Sequence, residues 1–231
     1  MSRDVAGIVF DKDGTLFDFH ATWSHWAAEI LADEARGDAA RLAGMAAALD
    51  YDLDERRFRP GSVAVAGTVD EIVDALAPWL GAEPRANVIH RFHARAALAP
   101  QVEAIPLAPF LRDLGGRGLM LGVATNDGEG PARAHLDAVG VSRFFDFIAG
   151  ADSGHGAKPG PGQLLAFAEA CALAPARCVM VGDSTHDLAA ARAAGMTAVG
   201  VLTGLATEAD LAPLADVVLP SIAHISAWLD A

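Results

Sequence analysis

Asp11 and Asp13 stand two residues apart, with Lys12 between them and Gly14 and Thr15 just after. They follow directly on the apolar run 5–10, so both carboxylates belong to a turn that leaves a short buried strand. Such a pair can hold a divalent cation, and one member can attack an electrophile. Three later stretches carry the partners this chemistry needs: Thr125 with Asn126 and Asp127, Lys158 with Pro159, and the run Gly182, Asp183, Ser184, Thr185, His186, Asp187. Each lies close to a strand end or a helix start.

If the strands run parallel, the four stretches share one edge of the sheet, where ligands bind in open α/β sheets. Four clustered carboxylates repel one another unless a cation sits among them. Oxygen donors of this kind select Mg²⁺. The metal set read from the sequence is Asp11, Asp13 (through its backbone carbonyl), Asp183 and Asp187. Asp187 follows Asp183 by one helical turn and so reaches the same site. A phosphate monoester repels anionic nucleophiles, and Mg²⁺ with Lys158 would screen that repulsion. Asp11 is then the nucleophile that forms an aspartyl-phosphate, and Asp13 the acid and base that serves the leaving alcohol and the water. Thr125, Asn126 and Lys158 are the expected phosphate-binding residues.

The ordered set D-K-D-G-T-L, T-N, K-P and G-D-S-x-x-D resembles the haloacid dehalogenase superfamily over the whole chain, most closely its phosphoglycolate phosphatases. The resemblance implies an aspartate nucleophile, Mg²⁺ and a mobile cap over a Rossmann-like core. It points to a small phosphorylated metabolite as substrate. Lys12 departs from it, because phosphoglycolate phosphatases often carry an apolar residue there. Other chemistries of the superfamily separate on single residues. A dehalogenase does not need Asp13. A phosphonate-cleaving enzyme needs a cap lysine, and Lys12 and Lys158 are the two lysines of the chain. A sugar phosphomutase shares all four motifs and stays open as an alternative. A non-catalytic binding protein on the same fold would be expected to lack Asp11 or Asp13.

The elements that must position these residues follow from apolar patterning. Strands are expected at 5–10, 119–124, 147–149, 178–181, 197–201 and 217–219, alternating with helices at 107–114, 129–139, 161–171, 184–194 and 221–229. That alternation predicts a doubly wound α/β core with a mostly parallel sheet. Residues 21–98 read differently, as helices at 21–36, 39–49, 68–76 and 84–98 with no strand between them; Asp38 and Thr68 are the expected N-caps. The expected organisation is a core of residues 1–16 and 101–231, interrupted by an inserted α-helical cap of residues 17–100. Within the cap, Arg56, Arg57 and Arg59 are candidates for binding a second anionic group on the substrate. Trp23 and Trp26 read as cap core, and His90 and His93 as surface or packing residues.

Composition narrows the partners. Of 231 residues 52% are hydrophobic and the formal net charge is −13, which argues against a nucleic-acid backbone as ligand. Cys171 and Cys178 have neither metal-ligand nor disulfide-framework spacing and read as buried thiols. Arg3 and the six-residue apolar run after it are too short for a signal peptide, and no stretch reaches membrane-spanning length. A cytoplasmic enzyme is expected. Nothing in the pattern selects monomer over dimer.

Overall fold

The computed structural model describes residues 4–231; Arg3 lies outside them. The first strand, β1 (Gly7–Phe10), is buried at every position. Its side chains divide between two cores, as strand alternation requires. Ile8 and Phe10 join one apolar cluster and Val9 the other. Cys178 and Met180 of β6 share the cluster of Val9, whereas Val179 and Val181 share that of Ile8. A strand with two apolar faces must be covered on both sides, which is the situation of a parallel sheet.

Between β1 and the rest of the sheet the chain builds the cap: α1 (Phe19–Ala35), α2 (Ala39–Ala48), a short hairpin of β2 (Tyr51–Asp52) and β3 (Arg57–Phe58), α3 (Val63–Ala66), α4 (Val69–Leu76) and α5 (Arg85–Ala96). The core resumes with α6 (Leu107–Gly116), β4 (Met120–Ala124), α7 (Glu129–Ala138), β5 (Phe147–Ala149), α8 (Gly162–Ala170), β6 (Cys178–Gly182), α9 (Thr185–Ala194), β7 (Thr197–Val201), α10 (Glu208–Leu211), β8 (Val217–Leu219) and α11 (Ile225–Asp230). Six strands form one sheet in the order β5-β4-β1-β6-β7-β8, every pairing parallel. The order reverses at β1, so the crevice over its carboxyl end is the switch point of the sheet.

The cap has its own apolar cluster, from Phe19 to Ala96, separate from the two that flank the sheet. Its helices start where the sequence supplies caps. Asp38 accepts from Ala40 and Arg41 N–H, and Thr68 forms a capping box with Glu71. The β2–β3 hairpin departs from the all-helical expectation for the cap. Two-residue strands are too short to show alternation, and this pair forms because Tyr51 and Phe58 pack cross-strand, ring centroids 5.0 Å apart, beneath α1. The last helix also differs. Residues 222–224 form a 3-10 turn that leads into α11. Cys178 is buried and Cys171 half-buried, both as free thiols. Among the described residues no helix is long and apolar enough to cross a membrane.

Candidate active site

The ends of β1, β4 and β6 bring the polar stretches into one cavity beneath the cap. It is lined at its base by Asp11, Asp13, Thr125, Lys158, Asp183 and Asp187. Asp11 takes the last bond of the β1–β6 ladder, its N–H donating to Val181 O at 2.8 Å. Gly14 then adopts a φ of 82°, where a side chain is strained and its Cβ would collide with the Asp183 carboxylate. The turn closes through bonds from Leu16 and Phe17 N–H to Lys12 O.

Lys158 is the pivot of the site. Its buried Nζ donates to Asp11 Oδ1 at 2.6 Å, Asp187 Oδ1 at 2.6 Å and Ala124 O at 2.7 Å. Burial opposes its charge, but the two carboxylates outweigh burial and hold its pKa above the usual lysine range. Asp11 is pushed up to about 7 by burial, with Lys158 pulling the other way. Burial and the nearby charges of Asp11 and Asp187 raise Asp183 well above the carboxylate range. One cation for three buried carboxylates leaves this corner short of positive charge.

Oxygens of Asp11, Asp183 and Asp187 lie within 4.8 Å of one another. That is a donor set for a hard divalent cation, and the charge deficit fits one. Asp13 is absent from this group, because its side chain turns away to Lys12; its backbone carbonyl is the atom that the sequence reading assigned to the metal. Asp183 Oδ1 accepts from Thr15 Oγ1 at 3.0 Å. The N-cap of α9 is Ser184, in a capping box with Asp187, so helix capping falls to Ser184 and Asp187 rather than to Asp183. Asp187 therefore has one oxygen on the helix start and the other on Lys158.

Two of the expected phosphate-binding groups have further duties. Thr125 Oγ1 accepts from Asp127 N–H at 3.1 Å. The Asn126 amide braces the site: Oδ1 accepts from Lys158 N–H at 2.9 Å, and Nδ2 donates to Lys158 O at 2.8 Å and to Ala66 O of the cap at 2.7 Å. His186 Nδ1 meets the same Ala66 carbonyl at 3.1 Å and, facing an acceptor, carries the hydrogen.

Lys12, whose spacing says only that it separates two acids, is fully buried. Its Nζ contacts Asp13 Oδ2 at 2.6 Å, Asp127 Oδ2 at 3.3 Å and His135 Nδ1 at 2.9 Å, and it lies 5.2 Å from the ring centroid of Trp23. Burial works against its charge; Asp13 and Asp127 outweigh it and raise its pKa. The second lysine thus holds Asp13 apart from the Asp11, Asp183 and Asp187 cluster.

Arg56, Arg57 and Arg59 are exposed on the β2–β3 hairpin, and none of them lines the cavity. Arg59 pairs with Asp50 and Asp52, Arg57 with Glu55. Trp26 belongs to the cap's apolar cluster and Trp23 packs against it, as the spacing predicts; both also border the cavity, as do His93, Phe19, Phe58 and Phe92. Helical period locates an apolar face but does not say which part of it borders a space.

The family model described as haloacid dehalogenase-like hydrolase matches residues 5–195. The phosphoglycolate phosphatase of Escherichia coli K12 is 30% identical over 218 residues, covering 87% of this chain and 83% of its own. The fructose-1-phosphate phosphatase of the same strain is also 30% identical, over 204 residues, covering 87% and 98%. Among solved structures, a hydrolase of this family from Deinococcus radiodurans with bound phosphate and sodium superposes with a TM-score of 0.67 at 26% identity, covering 98% of this chain and 95% of that one.

Proposed function

This chain belongs to the haloacid dehalogenase-like hydrolases, and from that premise we propose that it is a Mg²⁺-dependent phosphatase of a small phosphorylated metabolite, working through an aspartyl-phosphate on Asp11. The observation that carries the reading is the division of the four acids by two buried lysines. Lys158 holds Asp11 and Asp187 at 2.6 Å each, while Lys12 holds Asp13 at 2.6 Å. That division supports a reading in which one aspartate does covalent chemistry and the other proton transfer.

An Asp11 carboxylate oxygen attacks phosphorus, and the bond from phosphorus to the ester oxygen breaks in line with that attack. Once protonated, Asp13 delivers that proton to the departing alkoxide and is left as the carboxylate that pairs with Lys12. It then removes a proton from the water that attacks the aspartyl-phosphate, which releases inorganic phosphate and restores Asp11. Lys158 and the Thr125 hydroxyl serve the phosphate oxygens where charge accumulates. Asp11, Asp183 and Asp187, with the Asp13 carbonyl, are the groups that would hold Mg²⁺. The ion supplies positive charge against the dianion of the ester and the buried carboxylates. The two curated relatives match this chain equally well, at 30%, and are named for different substrates. Overall likeness therefore supports the reaction class without selecting the ester.

The test is phosphate release from p-nitrophenyl phosphate with Mg²⁺. Wild type should turn over, Asp11→Asn should not, and EDTA should abolish activity that added Mg²⁺ restores. Acid-quenched wild type should carry one extra phosphoryl group on the peptide containing Asp11. Full activity in Asp11→Asn would refute the nucleophile, and turnover in EDTA would refute the metal.

A further inference from the structure

The cavity has two unlike halves. Its base holds the acids, Lys158 and Thr125; its roof, supplied by the cap, is formed by Phe19, Trp23, Trp26, Phe58, Ile72 and Phe92 among other apolar residues. The rings pack edge to face, Trp23 on Trp26 with centroids 5.4 Å apart and Trp26 on Phe92 at 5.8 Å. Among the described residues no arginine lines the cavity and one lysine does, Lys158, already paired with Asp11 and Asp187. The adjoining cleft between cap and core, bordered by Gly61, Glu71, Asp183, His186 and Asp210, has no lysine or arginine among the described residues either. Two polar side-chain atoms of the roof residues are buried without a partner, Trp26 Nε1 and His93 Nε2.

These walls disfavour two kinds of leaving group. A carboxylate would be taken out of water with no lysine or arginine free to meet it. A polyol would bring more hydroxyls than the roof has free polar atoms. Resting on the phosphatase reading above, the geometry points to a phosphate monoester whose leaving alcohol is uncharged and largely apolar, an aryl or arylalkyl alcohol. An acceptor oxygen on that alcohol would satisfy the Trp26 indole N–H. The phosphate sits over Asp11 at the base and the ring lies among the cap aromatics, where offset and edge contacts add to area burial.

Three primary alkyl esters with matched reacting centres test this: 2-phenylethyl phosphate, 2-phosphoglycolate and glucose 6-phosphate, each with Mg²⁺ and each with Asp11→Asn as the blank. We expect kcat/KM for the phenylethyl ester to exceed the other two by about 30-fold or more, mainly through KM, as burial of one ring implies. The non-hydrolysable 2-phenylethylphosphonate should also perturb tryptophan fluorescence, in the concentration range of that KM. Val65→Arg, at a half-buried wall position on α3, should lower kcat/KM for the phenylethyl ester and raise it for 2-phosphoglycolate. Equal or better Asp11-dependent turnover of 2-phosphoglycolate or glucose 6-phosphate would overturn the substrate class and leave the phosphatase reading intact. Absence of Asp11-dependent turnover with all three and with p-nitrophenyl phosphate would overturn the phosphatase reading, and the substrate class with it.

Discussion

Lys12 Nζ lies 2.9 Å from His135 Nδ1, a cation beside an imidazole in the interior of the protein. An ammonium can only donate, so Nδ1 accepts and is bare. His135 Nε2 faces Ala96 O at 2.7 Å and must carry the hydrogen. The ring is therefore neutral, in one tautomer, and it joins the turn between Asp11 and Asp13 to the last turn of α5 in the cap.

Burial, with the Lys12 charge second, lowers the His135 pKa to about 4. In an unfolded chain a histidine titrates near 6.5, so protons favour the unfolded state between these values. The stability tied to neutral His135 is complete above about pH 6.5 and is lost as pH falls toward 4, by at most about 3 kcal/mol. Ring ¹⁵N shifts should report the Nε2–H form from pH 8 to 5. Denaturation midpoints should fall less steeply over that range in His135→Gln than in wild type.

Lys12→Met removes the cation that Asp13 and Asp127 share. Breaking a buried pair this way costs about 3–5 kcal/mol. The variant should unfold at correspondingly lower urea, and adding Asp127→Asn should restore part of the loss. Asp13 loses its anchor in both, so kcat should fall more than KM changes. An unchanged kcat would show that Asp13 is held by other means.

Lys158→Met leaves Asp11 and Asp187 facing each other without the ammonium that lies 2.6 Å from each. Loss of one positioned electrostatic donor typically lowers kcat by about 10²–10³. Steady-state kinetics with p-nitrophenyl phosphate at saturating Mg²⁺ would read this directly. Lys158→Arg should not rescue it, because a forked guanidinium cannot replace a point charge in this buried position.

The loop after β7 closes against the acidic cluster: Thr203 Oγ1 donates to Gly14 O at 2.6 Å, and a Cβ on Gly204 would overlap the Asp183 carboxylate. Gly204→Ala should displace Asp183 or the loop. The Mg²⁺ concentration for half-maximal activity should rise about tenfold or more, a change near 1.4 kcal/mol. Far-UV circular dichroism should stay that of wild type.

Much of this arrangement follows from features that sequence displays well. β5, β7 and β8 coincide with their expected spans, because short apolar runs between turn residues have few other ways to be buried. The parallel sheet then carries Asp11, Thr125, Lys158 and Asp183 to one edge without further information. What stayed hidden depends on tertiary geometry. Nothing in the spacing of Lys12 predicts contact with His135, 123 positions away. A tryptophan at a helical interval looks alike whether it faces another helix or a cavity. The cap hairpin leaves no signal in the sequence because its strands are two residues each. The arginines beside it stand out in the sequence by charge alone, whereas Arg57 and Arg59 are paired with neighbouring acids.

The Ala66 carbonyl receives both Asn126 Nδ2 and His186 Nδ1. These donors leave from the ends of β4 and β6, on either side of β1, so a single cap oxygen is tied across the breadth of the crevice. Outward movement of α3 must break both bonds together, which makes opening a concerted event with a threshold rather than a gradual one. Two ordinary hydrogen bonds amount to about 1–3 kcal/mol net, a modest barrier to that movement. On the phosphatase reading, exit of inorganic phosphate would wait on that movement.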